Sequence, residues 1–121
     1  MRQITKGSTE QFAIMRILDG TTGAPETGAT SPTPGLDLKY RRAGGTVASL
    51  TESDLASADA AHADGGMIHL FGGYYRVDLP DAAFASGANS VLVGGVVTDM
   101  IVIAEEIMLV DVNPYDSVRG G

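Results

Sequence analysis

LDLKYR, residues 36–41, alternates Leu36, Leu38 and Tyr40 with Asp37, Lys39 and Arg41. A period of two puts the apolar set on one face and the charges on the other, the pattern of a strand with one covered face. Ala43-Gly44-Gly45 then supplies a turn, and TVASL, residues 46–50, returns as the second arm of a hairpin.

Upstream, QFAIMRILD, residues 11–19, is a compact apolar run ended by Gly20, read as a strand with most of both faces covered. GTTGAPETGATSPTPG, residues 20–35, has only Ala24 and Ala29 as apolar residues and is a long loop. Such loops are mobile or functional. A mobile surface loop and an arm that orders against a neighbouring subunit both stay open.

Downstream, TESDLASADAAHADGG, residues 51–66, is expected on the surface as a short helical turn or a loop, because Leu55 is its only large apolar residue. MIHLF (67–71) and YYRVDL (74–79) flank Gly72-Gly73, the spacing of a tight hairpin, with Tyr75, Val77 and Leu79 facing inward and Tyr74, Arg76 and Asp78 outward. Pro80 ends the strand because it lacks a backbone donor. Residues 81–87 form one helical turn closed by Gly87 and anchored by Phe84.

SVLVGGVV (90–97) and MIVIAEEIMLVDV (100–112) are the most apolar strands, and both of their faces call for cover. Glu105-Glu106 puts one carboxylate on each face, so a bulge or a crossing from a buried to an exposed region is expected there. Asn113-Pro114 then takes the chain out of the sheet.

Composition agrees with this pattern. Apolar residues make up 44% of the 121 and charged residues 19%, enough for one core, while 6% aromatic content and no tryptophan make that core aliphatic. Sixteen glycines and five prolines suit several short strands joined by turns. The expected fold is mainly β, a small antiparallel β-sandwich, Ig-like or jelly-roll-like, with one or two short helical turns. Residues 1–112 form a single domain, and residues 113–121 form a C-terminal exit segment.

A formal charge of −7 repels a phosphate backbone and argues against nucleic acid as a partner. No cysteine is present, so there is no disulfide, thiolate metal site or thiol nucleophile. Residues 1–10 lack a signal-peptide pattern and no apolar run approaches the length of a membrane span, so a soluble protein with no membrane partner is expected.

His62 and His69, seven apart with Asp59 and Asp64 nearby, fit no zinc spacing and are read as a loop and a strand histidine. Asp54, Asp59 and Asp64 recur every five residues, unlike a calcium loop, and read as a solvated face. Adjacent Glu105 and Glu106 point to opposite sides and cannot share a substrate atom. The glycine pairs match neither a phosphate loop nor a dinucleotide fingerprint, and no serine sits in a nucleophile elbow. The expectation is a protein with no enzymatic activity, no cofactor and no metal.

Four stretches carry a resemblance. GLDLKYRRAGG (35–45) follows G-L-x-x-x-Y-x-R-x-G, and AHADGGMIHL (61–70) follows D/S-G-G-x-x-E/H. GYYRVDLPDAAFASGANSVLV (73–93), the most specific, follows G-x-Y-x-x-D-x-P-x-A-x-x-A-x-G-A-x-x-V, and NPYDSVRGG (113–121) follows D/N-P-Y/F-D-x-x-R-x-G. Together they resemble a module of tailed-bacteriophage virion proteins, the N-terminal domain of tail-fibre or upper-baseplate-type adaptors. The resemblance implies a non-enzymatic virion protein assembled in the bacterial host cytoplasm, with other virion proteins as partners and a homo-oligomeric state in the particle. Its implied role is an adaptor that docks on the tail, neck or baseplate and supports a fibre.

In the family the exit sequence leads into a fibre-forming region, whereas here the sequence stops at Gly121. A trimmed anchoring portion of a fibre and a free-standing capsid decoration or cement protein are both compatible with that. A carbohydrate-binding module, using Tyr74 and Tyr75, is a weaker alternative. The candidate subunit contact is the exit segment, where Tyr115 and Val118 have no place in the core and Pro114, Asp116 and Arg119 accompany them.

Overall fold

The alternation at residues 36–41 becomes a strand in a computed structural model of the chain, which describes residues 2–111. In chain order the strands are β1 (Arg2–Thr5), β2 (Phe12–Asp19), β3 (Asp37–Arg42), β4 (Val47–Ser49) and β5 (Ser53–Asp54). They continue as β6 (Gly66–Phe71), β7 (Tyr74–Asp78), β8 (Ser90–Val96), β9 (Met100–Ile103) and β10 (Glu105–Val110). A 3₁₀ turn, Asp81–Phe84, lies between β7 and β8.

Two five-stranded sheets result, sheet A in the order β1-β10-β8-β3-β4 and sheet B in the order β5-β6-β7-β2-β9. Their inner faces supply one core. Leu38, Val91, Val93 and Ile107 come from sheet A, and Met15, Ile17, Tyr75 and Val77 from sheet B. Phe84 of the 3₁₀ turn is fully buried in the same cluster, which for a side chain of its size is worth about 1.5–3 kcal/mol.

The fold is the expected mainly β sandwich, with one difference in strand direction. Both sheets are mixed, because β1 pairs parallel with β10 and β5 pairs parallel with β6. Each of these pairs joins segments that no tight turn connects, so local hairpin signals could not reveal them.

The two hairpins form where the glycines fall. β3 pairs with β4 through Lys39↔Ser49, Tyr40↔Ala48 and Arg41↔Val47. β6 and β7 meet at Phe71↔Tyr74 across Gly72 (φ 58°) and Gly73 (φ 85°), two consecutive positive φ values that a two-residue hairpin turn of this hand requires. The 81–87 segment is the single helical turn expected, anchored by buried Phe84 and followed by Gly87 at φ 107°.

The apolar run after Thr98-Asp99 changes sheets. β9 pairs with β2 in sheet B, whereas β10 pairs with β8 and β1 in sheet A, and Ala104 lies at the crossing. Leaving sheet B at Ile103 strips β2 of a partner alongside Ile14. The Glu105 carboxylate fills that place, accepting from the Ile14 N–H at 3.2 Å and pairing with Arg2 Nη1 at 3.3 Å. Glu105 and Glu106 thus diverge as their adjacency demands, the first toward the seam between the sheets and the second toward solvent.

Segment 51–66 has no helical turn. It contributes β5 and then lies against sheet B, so Arg76 and Asp78, on the outward face as expected, are nonetheless out of solvent at 9% and 0% exposure. The Arg76 guanidinium grips Asp78 through Nε–Oδ1 at 2.7 Å and Nη2–Oδ2 at 2.9 Å. The segment completes the pair: Arg76 Nη1 donates to the Ala58 carbonyl at 2.9 Å and the Ala63 N–H donates to Asp78 Oδ2 at 3.0 Å. Period two correctly places these side chains opposite Tyr75 and Val77; what covers them is a loop too polar to announce itself as cover.

Candidate interaction surface

The outer faces of the sheets carry apolar side chains where solvent-facing strands are ordinarily polar. On sheet A, Val47, Leu92, Val96 and Met108 are exposed; Val96 reaches 63%. The strand register lines Val47, Arg41, Leu92 and Glu106 into one row across β4, β3, β8 and β10. Beside this row lies a groove of about 290 Å³ with Leu92, Val96, Val47 and Ala104 in its walls and Gly94 and Gly95 along it. A Cβ at Gly94 would sit 3.0 Å from that of Ala104, so the absence of a side chain here keeps the groove open.

On sheet B the exposed apolar residues are Phe12, Phe71, Ile101 and Ile103, with Phe71 at 70%. Phe71 packs against Tyr74 with ring centroids 5.6 Å apart, and the Arg16 guanidinium stands 5.0 Å from the Tyr74 ring centre. Arg16 also pairs directly across from both Tyr74 and Ile103, which joins β7, β2 and β9 in one partly apolar strip. Tyr75, in contrast, is completely buried, so the two tyrosines do not share a face as a sugar platform would need.

Tyr75 instead holds the 20–35 loop. Its hydroxyl donates to the Glu26 carbonyl at 2.8 Å and accepts from the Ala29 N–H at 3.0 Å, with Ala29 buried. Burial pushes the Tyr75 hydroxyl above the usual tyrosine range; the Ala29 N–H opposes the shift and the nearby Glu26 charge adds to it. Asp54 accepts from Ser31 N at 2.7 Å and from Ser31 Oγ at 3.0 Å, and Pro25 bridges to Leu18. The loop is therefore attached at several points along its length.

The histidines are structural in their contacts. His62 Nε2 lies 3.1 Å from the Gln11 carbonyl and 3.0 Å from that of Leu79, which ties the 51–66 segment to sheet B. His69 Nε2 accepts from the Gly73 N–H at 3.1 Å, and its ring meets Tyr75 edge-on at 5.1 Å. Among the described residues no group of three or more His, Cys, Asp or Glu is arranged to hold a metal ion. Asp54 and Asp64 take up separate contacts, with Ser31 and His62 respectively.

Comparison with protein families, curated proteins and solved structures finds no match. The exit-segment candidates Pro114, Tyr115, Asp116, Val118 and Arg119 lie outside the described residues. What sequence reasoning missed is the exposed apolar row of sheet A. The signal was present in Leu92 and Val96, which alternate with buried Val91 and Val93, but a nearly continuous apolar run reads as covered on both faces.

Proposed function

We propose that this chain is a non-enzymatic structural module of a tailed-bacteriophage particle, an adaptor that docks on the tail, neck or baseplate and supports a fibre. The observation that carries the reading is that both outer faces of the sandwich expose large apolar side chains, Leu92 and Val96 on one and Phe71, Ile101 and Ile103 on the other. Large apolar side chains exposed on both faces suit a protein held between neighbours. The resemblance to virion modules supports the same reading. Its most specific run, residues 73–93, supplies β7, the Phe84 turn and the first half of β8, and so contributes to both sheets.

Immunogold labelling tests the proposal, using an antibody raised against this chain and intact particles of a phage that encodes it. Label at the tail, neck or baseplate is expected. Label over the capsid would replace the adaptor role with decoration of the shell, and unlabelled, permeabilised particles would remove the virion assignment.

A further inference from the structure

The outer face of sheet A is complementary to itself, and we infer that it pairs two copies of this chain face to face about a twofold axis running along β8. This inference does not depend on the particle assignment. β8 is the middle strand of sheet A, with β3 on one side and β10 on the other. Leu92 at its centre stands directly opposite Arg41 on β3 and Glu106 on β10, and all three side chains are exposed. Neighbouring strands are about 4.8 Å apart, so a cation and an anion flank the central leucine at equal distances.

Neither flanking charge forms an ion pair among the described residues. The other charges on this face, Lys39 and Asp37, pair with each other at 3.3 Å. Arg41 and Glu106 are therefore the two charges that a partner must answer.

Charge selects the axis. A twofold along β8 stacks Leu92 on Leu92 of the second copy, sets Arg41 over the second copy's Glu106, and repeats that contact in reverse. A twofold across the strands through the same leucine sets Arg41 over Arg41 and Glu106 over Glu106, which repel. The contact along β8 is isologous, so it closes with two copies. Val47 and Val96 extend the apolar area around Leu92, and the groove over Gly94 gives the opposing side chains space to enter when the two sheets pack.

Sedimentation equilibrium on the full chain and three variants tests this. Wild type is expected to sediment as a dimer at high concentration. Arg41→Glu and Glu106→Arg, each exposed and outside the core, are expected to sediment as monomers. The double variant Arg41→Glu/Glu106→Arg restores the opposed pair on both sides of the axis and is expected to regain the dimer. A monomeric wild type overturns the proposal and leaves the face to a different protein. So does a double variant that stays monomeric, or an oligomer that the single substitutions leave intact.

Discussion

Arg76 and Asp78, two residues apart on β7, form a bidentate ion pair on the side of sheet B that faces away from the core. The pair is out of solvent because segment 51–66 closes over it with the Ala58 carbonyl and the Ala63 N–H. Asp78 shapes the guanidinium charge as well, holding Arg76 protonated beyond its ordinary range through their hydrogen bonds. A substitution here reports on the docking of that segment.

Arg76→Met leaves Asp78 buried without its partner, and the expected loss of stability is about 3–5 kcal/mol. Replacing both, Arg76→Met with Asp78→Leu, removes the stranded charge and is expected to cost less than the single change. Urea denaturation of the three proteins measures the difference. A double variant less stable than the single would mean that Asp78 is not stranded without Arg76, the Ala63 N–H sufficing to hold it.

Tyr75→Phe removes the one side chain that both accepts from Ala29 and donates to Glu26. The buried Ala29 N–H and the part-buried Glu26 carbonyl lose their partner, for an expected cost of about 1–3 kcal/mol. Hydrogen exchange should quicken at Ala29 while the strands keep their protection; uniform loss of protection would show that the hydroxyl supports the whole sandwich.

The same hydroxyl predicts an alkaline limit. Its folded pKa is raised, so the folded state holds the proton more tightly than the unfolded one. The stability this confers is fully present below the unfolded value of about 10 and is lost as pH rises through the folded value. Melting temperature should fall more steeply between about pH 10 and the folded value for wild type than for Tyr75→Phe, and parallel curves would assign the fall to other groups.

Val77 is fully buried in the middle of the inward row Tyr75, Val77 and Leu79. Val77→Asp places an unpaired carboxylate there, and loss of the folded state is expected. A soluble variant with an unchanged melting temperature, read by circular dichroism, would contradict the observed strand phase.

Deleting residues 114–121 should leave the melting temperature of the domain nearly unchanged, since β10 completes its pairing with β1 at Val110. Under the proposed function the deletion should reduce incorporation into particles. Normal incorporation of the shortened chain would move the docking role away from Tyr115 and Arg119.

The strands other than β1 and β5 were legible because they alternate or run apolar between glycines; β1 and β5 lie in stretches too polar to read as strands. The inward row of β7, the anchor at Phe84 and the divergence of Glu105 and Glu106 all follow from local spacing. Two kinds of information were not local. The parallel partners of β1 and β5 depend on which distant strands stand beside them, and the cover over Arg76 comes from a segment whose only large apolar residue is Leu55. The crossing at Ala104 was legible only as a choice between a bulge and a change of surroundings, because Ile101, Ile103 and Met108 look like core residues in sequence and are exposed in the fold.

The parallel pairing of β1 with β10 also decides how the domain carries load. Arg2 lies beside Ile107 and Thr5 beside Val110, so the chain enters at one end of this pair and leaves at the other. Tension applied through the two ends draws the strands past each other along their length, and the hydrogen bonds between them are strained together rather than opened one after another. A sandwich connected in this way resists pulling in shear, whereas an antiparallel terminal pair would unzip from its end.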